Sequence, residues 1–305
     1  MTATESRVTF LSQLFDKGLL VDSGVPGLYG RGAAYEEIIS GFDGLISRTV
    51  ADDGAEKISF PPGMSRNSFE RSGYLKGFPQ LAGTVHSFCG VDHDHVELLR
   101  QLGEGEDWTE GQVATDVVLT PATCYPIYPV LAARGPMAAG GALFDLQSYC
   151  FRHEPSADPA RMQLFRIREF VRAGTAEEVV TFREGWLKRG PAMIESVGLP
   201  LDIDLANDPF FGRGGRLMKV GQREQQLKFE LLVQIDNPAG PTAIMSFNYH
   251  QDHFGETWGI HTHDGGVSQT ACVGYGMDRV ALALLKHHGL DISMWPKSVR
   301  QTLWG

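Results

Sequence analysis

The sequence predicts an α+β fold, a mainly antiparallel sheet flanked by helices. Two observations carry that prediction. Strand-like runs bounded by turn residues cluster in the middle of the chain, at 149–171, 227–235 and 242–249, whereas helical periodicity dominates towards both ends. There is also no internal repeat, low-complexity tract or Gly/Ser linker, so residues 1–305 are expected to form a single domain.

The elements follow in order. Over 10–20, Phe10, Leu11, Leu14, Phe15 and Leu19 make a helical face that Gly24-Val25-Pro26-Gly27 breaks. A second helix is expected over 33–48, where Ile38, Ile39, Phe42, Leu45 and Ile46 keep near-3.6 spacing. Lys57-Ile-Ser-Phe reads as a short strand ended by Pro61 and Pro62, and 84–89 reads as another. A helix over 93–102 gives way to Glu104, Glu106, Asp107 and Glu110, an expected solvated loop. Thr175 with Glu178 makes a capping box for a helix carrying Val179, Phe182, Trp186 and Leu187, which Gly190-Pro191 should interrupt. A loop is expected over 210–215. Strands at 227–235 and 242–249 flank the turn signal Asn237-Pro-Ala-Gly. The run from Gly274 reads as a glycine-led helix with a polar first turn.

Composition narrows the function class. Hydrophobic residues at 42% and charged residues at 21% of 305 are an ordinary globular balance, enough to bury a large core. A net charge of −10 disfavours broad, nonspecific nucleic-acid binding. Cys89, Cys124, Cys150 and Cys272 are scattered with no CxxC, which points to a reducing compartment and to free or metal-bound thiols. With no secretory pattern at the start, a cytoplasmic location is expected. The charge-poor stretch 117–144 carries Pro121, Pro126, Pro129 and Pro136, so it reads as a buried wall or site lining rather than a membrane helix.

The most informative stretch is 149–171, two strands around a turn at Pro155, Ser156, Asp158 and Pro159. Alternation puts Arg152 and Glu154 on one face of the first strand, and groups Phe165, Ile167 and Glu169 in the second. The residues alone leave a solvated hairpin face or a cross-strand ion-pair ladder open.

Phe151-Arg152-His153-Glu154, then Arg161 and Phe165-Arg-Ile-Arg-Glu169, resembles the second signature motif of class II aminoacyl-tRNA synthetases. Gly274-Tyr-Gly-Met-Asp-Arg279 resembles their third, and the helix from Tyr35 with Ser59-Phe-Pro-Pro looks like the weaker first motif, a dimer interface in that family. Lys228-Phe-Glu230, Ser246-Phe-Asn248 and Thr270-Ala-Cys272 are similar to the atypical seryl-tRNA synthetases of methanogens, and closest to bacterial amino acid:[carrier protein] ligases. The resemblance covers essentially the whole chain, with no coiled-coil arm or anticodon module expected. It implies a class II catalytic core, expected to be a homodimer, that activates glycine or alanine with ATP. The acyl group then passes to the phosphopantetheine thiol of a small, usually acidic carrier protein, with no tRNA and no membrane. A true tRNA ligase is the first rival reading, disfavoured by the charge; a catalytically silent paralogue is the second, disfavoured by the retained arginines.

The same resemblance implies residue roles. Arg152 would hold the α-phosphate of ATP, and its planar fork suits the charge that builds there. Glu154 would accept from the adenine amino group, Phe165 would stack on the purine, and Met162 would complete that end of the ATP site. Arg161 and Arg279 would grip the outer phosphates, making Arg152 and Arg279 the catalytic pair. Lys228, Glu230, Ala243 and Ser246 fall at ATP or Mg2+ positions; seryl relatives carry a carboxylate where this chain has Ala243. Cys124, Glu169 and Cys272 would bind Zn2+ and, with Asn248, the amino acid.

No local spacing rule finds that metal set. Read locally, His261-Thr-His263-Asp264 and His93-Asp-His95 look more like metal fragments, though loop histidines are more often polar surface groups. Two thiolates and a carboxylate leave one tetrahedral position open, which the substrate amine would fill. Cys89 and Cys150 are expected to be buried small apolar groups. For the carrier, the segment 211–228 offers Arg213, Arg216, Lys219, Arg223 and Lys228 against Glu224, a candidate docking or ATP-entry surface.

Overall fold

The computed structural model describes residues 9–211, 220–223 and 225–305. Helix α1 (Phe10–Asp16) is capped by Thr9, whose side chain accepts from the Ser12 N–H. The expected helix over 10–20 is shorter than predicted: from Leu20 the chain is a two-stranded ribbon, β1 (Leu20–Val25) and β2 (Leu28–Arg31). Gly24 and Gly27, both at φ 80°, belong to its turn, a conformation that side chains rarely adopt. Helix α2 (Ala33–Thr49) then buries Tyr35, Ile38, Ile39, Phe42 and Ile46, the face its spacing predicts.

Strand β3 (Glu56–Ser59) joins the main sheet, while β4 (Gly63–Ser65), β5 (Thr84–Ser87) and β6 (Val113–Leu119) form a small sheet in the order β4-β6-β5. Between them lie α3 (Arg66–Arg71), α4 (Tyr74–Gly77) and α5 (Asp92–Glu104), the last with no buried residue. The charge-poor stretch becomes β6, a loop through Cys124 and helix α6 (Ile127–Ala133).

Next come the long hairpin β7 (Ala142–Phe151) and β8 (Leu164–Gly174), helix α7 (Ala176–Ser196), and β9 (Asp202–Leu205). The predicted capping box is present: the Thr175 side chain accepts from the Glu178 N–H while Glu178 accepts from the Thr175 N–H. The predicted interruption is not, because α7 runs through Pro191. A mid-helix proline costs about 3 kcal/mol or more, but Trp186 before it and Met193 and Ile194 after it are buried, at roughly 1.5–3 kcal/mol each. Packing on both sides of Pro191 therefore outweighs the break.

The chain ends with β10 (Lys228–Val233), β11 (Thr242–Gln251), α8 (His253–Trp258), β12 (Gln269–Gly276), α9 (Met277–His288) and α10 (Lys297–Trp304). Gly274 and Gly276 close strand β12 rather than open the helix, a third departure from the expected elements.

The main sheet runs β3-β7-β8-β12-β11-β10-β9, antiparallel throughout except the β3/β7 pair. Directly paired residues share a face. One set of rows, Phe170–Val273–Phe247–Phe229 and Arg168–Tyr275–Met245–Leu231, meets α7 and α9 in the larger core. The alternate rows, Glu169–Gly274–Ser246–Glu230 and Cys272–Asn248–Lys228, face the other way and floor a cavity. Apolar packing on one face thus fixes the register that gathers polar groups on the other.

Candidate active site

The cavity, about 410 Å³, is floored by β8, β12, β11 and β10 and walled by Ala122, Cys124 and Tyr125 of the β6–α6 loop. Tyr74, Phe78 and Phe210 line it too, Phe78 and Phe210 stacked with ring centroids 5.0 Å apart.

Its lining includes an acid cluster. Cys124, Glu169 and Cys272, from a loop and two neighbouring strands, are all buried, with their ligand atoms within 4.8 Å of one another. Burial raises the Glu169 carboxyl above its usual range. The Cys272 thiol is pushed well above its ordinary value by its hydrogen bond with Cys124, by burial and by the Glu169 charge. For Cys124, the hydrogen bond from Cys272 favours the thiolate, but burial and Glu169 outweigh it and raise that thiol as well. Glu169 Oε2 is buried with no hydrogen-bond partner. Three buried acidic groups, each held above its ordinary ionisation range, with an orphaned oxygen among them, fit a thiophilic divalent cation such as zinc. Among the described residues this is the one group of three or more His, Cys, Asp or Glu side chains arranged to hold a metal; His93, His95, His261, His263 and Asp264 form none.

The same cavity is lined by cations. Arg152 Nε donates to Pro121 O at 3.3 Å, and its guanidinium sits 5.5 Å from the centre of the Phe165 ring. Arg279 is held by main-chain oxygens, Nε to Ala160 O and Nη1 to Ala243 O, both at 2.9 Å. Burial, then the charges of Arg152 and Arg161, pull it down to about 10, so its charge is disfavoured in a way that a polyanion would relieve. Its neighbour Asp278 positions it: Oδ1 accepts from Arg31 Nε at 2.7 Å and Oδ2 from the Arg166 N–H at 2.6 Å. That clamp ties the first turn of α9 to β8.

The cavity brings together Cys124, Arg152, Phe165, Glu169, Lys228, Glu230, Ala243, Ser246, Asn248, Cys272 and Arg279. Glu154, Arg161 and Met162 stand outside its lining. Glu154 and Arg161 pair with each other at 3.5 Å, and Met162 is buried with Sδ 3.4 Å from Arg31 Nη2. The strand-alternation account of Arg152 and Glu154 is corrected, since β7 ends at Phe151. Arg152 N–H still reaches Gln163 O, but His153 N–H turns to Leu81 O and Glu154 N–H to Arg152 O. Phe165, Ile167 and Glu169 do share the cavity face.

Two further expectations change, and one is not tested. Cys89 is exposed, whereas Cys150 is buried as expected. Lys228 is no docking residue: its side chain is 12% exposed, and its ammonium binds Asp208 and, at 3.0 Å, Glu230. Arg213, Arg216, Lys219 and Glu224 lie outside the described residues.

Sequence reasoning missed Asp208 and His250. Asp208 sits 20 residues before its partner Lys228 and gave no local signal. His250 was findable, since alternation places it two residues from Asn248 on the same strand face. Burial, then His253, pushes its imidazole down to about 3, so it is neutral.

This fold and site define a class II aminoacyl-tRNA synthetase-like ligase. Its architecture matches the M. kandleri seryl-tRNA synthetase solved with A. aeolicus tRNASec, at a TM-score of 0.81 and 21% identity, over 98% of this chain and 62% of that one. The chain belongs to the amino acid–[acyl-carrier-protein] ligase family. It is 48% identical over 285 residues to amino acid–[acyl-carrier-protein] ligase 2 of Bradyrhizobium diazoefficiens, covering 93% of this chain and 85% of the relative. It is 46% identical over 293 residues to ligase 1 of the same organism, covering 96% and 89%. No family model matches the chain. Among the described residues, no helix is long and apolar enough to cross a membrane.

Proposed function

We propose that this ligase activates a small amino acid, glycine or alanine, with ATP and passes it to the phosphopantetheine thiol of a carrier protein. One observation carries the reading: a single cavity is lined both by a cation-seeking acid cluster and by two half-buried arginines. An amino acid laid along it would set its amine among Cys124, Glu169 and Cys272 and its carboxylate towards Arg152. Small size follows from what must share about 410 Å³ with a nucleotide's reacting end.

In the first half-reaction a carboxylate oxygen attacks the α-phosphorus and the bond to the β-phosphate bridging oxygen breaks, releasing pyrophosphate. Positioning and charge neutralisation carry most of such a step. Arg152 would meet the α-phosphate and Arg279 the outer phosphates, with Phe165 against the purine. Arg161, Glu154 and Met162 would join only if the 152–163 loop closes on the nucleotide. Glu230 and Ser246 would contact Mg2+ or ATP; Lys228, already paired with Glu230, would orient that carboxylate. Ala243 offers only a main-chain oxygen, which Arg279 engages. Cys124, Glu169 and Cys272 would hold zinc, which when bound supplies a Lewis-acid site for a neutral amine. Asn248 would bind the amino acid beside them. In the second half-reaction the carrier thiol attacks the acyl carbon, its proton leaves, and AMP departs.

A homodimer through α2 and β3, a cytoplasmic location and independence from tRNA belong to the same reading. ATP–pyrophosphate exchange across an amino-acid panel tests activation, with exchange expected for glycine or alanine alone. Labelled amino acid should then appear on a phosphopantetheinylated carrier protein. Label on tRNA and none on the carrier would overturn the proposal.

A further inference from the structure

Strand β11 departs from regular pairing at its end. Asn248 faces Cys272 and Tyr249 faces Ala271, but Gln251 faces Thr270, so His250 is an extra residue in a bulge. Gln251, beside it, has φ 54°, a left-handed conformation uncommon outside glycine. Bulges recur next to functional sites, and beside this one Asn248 and His250, two residues apart on the strand, both reach one sulfur. Asn248 Nδ2 lies 3.3 Å and His250 Nε2 3.5 Å from Cys272 Sγ.

The ring of His250 is fixed from both sides. Its Nδ1 is 3.0 Å from the hydroxyl of Thr270, a fully buried residue. It also meets Phe254 edge-on, with centroids 5.0 Å apart and planes at 81°, and Tyr128 at 6.4 Å and 87°. A neutral imidazole carries one N–H. When the Thr270 hydroxyl donates to Nδ1, that N–H is on Nε2, where it points at Cys272. The opposite tautomer would set a lone pair against a thiolate.

We infer that His250 is a positioning residue for the metal site, donating from Nε2 to hold Cys272 as a thiolate ligand, with Thr270 fixing its tautomer. Asn248 supplies the second donor to the same sulfur. The inference rests on the zinc reading proposed above and deepens it. Outer partners of this kind set ligand orientation, and their loss typically weakens metal binding about 10–100-fold.

The test is competition between the full chain and a chelator for zinc alone, with cobalt-substituted protein giving the sulfur-to-metal absorption band. His250→Ala should bind zinc about 10–100-fold more weakly and shift the cobalt band. His250→Gln, which keeps an N–H donor, should recover part of the affinity. Thr270→Val, nearly isosteric and expected to fold, should show a smaller loss in the same direction. His250→Ala binding zinc as tightly as the wild type, or His250→Gln no better than alanine, would overturn the inference alone. A wild-type chain without stoichiometric zinc, or with zinc unchanged in Cys124→Ala, would overturn the zinc reading and this inference together.

Discussion

Asn248 Nδ2 stands 3.2 Å from Ser246 Oγ and 3.3 Å from Cys272 Sγ, so one carboxamide bridges the acid cluster and a hydroxyl of the neighbouring row of the cavity floor. The two hydrogen bonds explain why an amide, and not an acid, occupies this position. An aspartate there would add a fourth carboxylate or thiol proton to a cluster whose members already resist ionisation.

Asn248→Ala should therefore weaken amino-acid use while leaving the fold intact. Losing a buried hydrogen-bond partner costs about 1–3 kcal/mol, so KM for the amino acid should rise roughly 5- to 150-fold. Asn248→Asp should be worse than alanine because it adds repulsion. Pyrophosphate exchange at varied amino acid measures both; an aspartate variant as active as the wild type would exclude this role.

Arg152 and Arg279 are half-buried cations of the cavity, and each is held mainly by main-chain oxygens, not by an acid that would neutralise it. Truncating either to alanine should lower kcat for exchange by about 10²–10³-fold, the usual effect of removing one charge-stabilising donor. For Arg279→Ala the unfolding temperature should change little, since a charge that burial and the neighbouring arginines disfavour is removed. Lysine at 279 should recover little, because a point charge cannot reproduce two-pronged phosphate contact. Exchange unchanged in both alanine variants would remove the arginines from the mechanism.

On the far side of the sheet, Arg168 and Asp145 form a buried pair, with contacts of 2.9 and 2.6 Å, and Arg168 also binds Asp43 and Ser47. Asp145→Ala leaves the guanidinium buried with half its partners, which typically costs about 3–5 kcal/mol. Urea unfolding should show that loss, with pyrophosphate exchange per folded molecule retained. A change below about 1 kcal/mol would mean that water reaches Arg168.

Cys150 gives a pH dependence. Burial raises its thiol to about 12 from the ordinary 9.0, and Thr123 Oγ1 lies 3.4 Å from the sulfur. The folded state thus holds this proton more tightly than the unfolded chain. The stabilisation is complete below pH 9 and is lost as pH rises from 9 to 12, in all roughly 4 kcal/mol. The stability difference between the wild type and Cys150→Ala should shrink by about that amount over the window. Urea midpoints at stepped pH measure it, and a constant difference would contradict it.

What could be read from the sequence depended on which face of each element carried its apolar residues. Helix α2 was legible because one face is apolar and its period unambiguous, whereas in the β7–β8 hairpin alternation placed the second strand's cavity face but not the extent of β7, which starts at Ala142 and ends before Arg152. Strand β12 was not, since Thr270 to Tyr275 are all buried and show no alternation. In β1 only Leu20 is buried, so the ribbon carried no signal either, and α7 was misread because propensity at Pro191 yields to packing. The site divides the same way. Phe165, Ile167 and Glu169 follow from alternation, whereas Cys124, Glu169 and Cys272 meet only through sheet register and a loop. Their grouping was legible through family resemblance alone.

Glu169 is the residue on which that grouping turns. It pairs with Gly274, the glycine that leaves the floor open beside it, and its Oε2 is a buried oxygen with no partner. If the carboxylate is a zinc ligand, Glu169→Gln keeps size and burial yet removes the charge that balances the metal. Its metal content and exchange activity should both fall sharply, as in Glu169→Ala. If Glu169 is only a strained core acid, the same change removes an unfavourable buried ionisation and the protein should become more stable with zinc unaltered. Metal analysis together with urea unfolding of Glu169→Gln separates the two. Lower zinc without a loss of metal-free stability is the expected outcome, and full zinc occupancy would refute the ligand assignment.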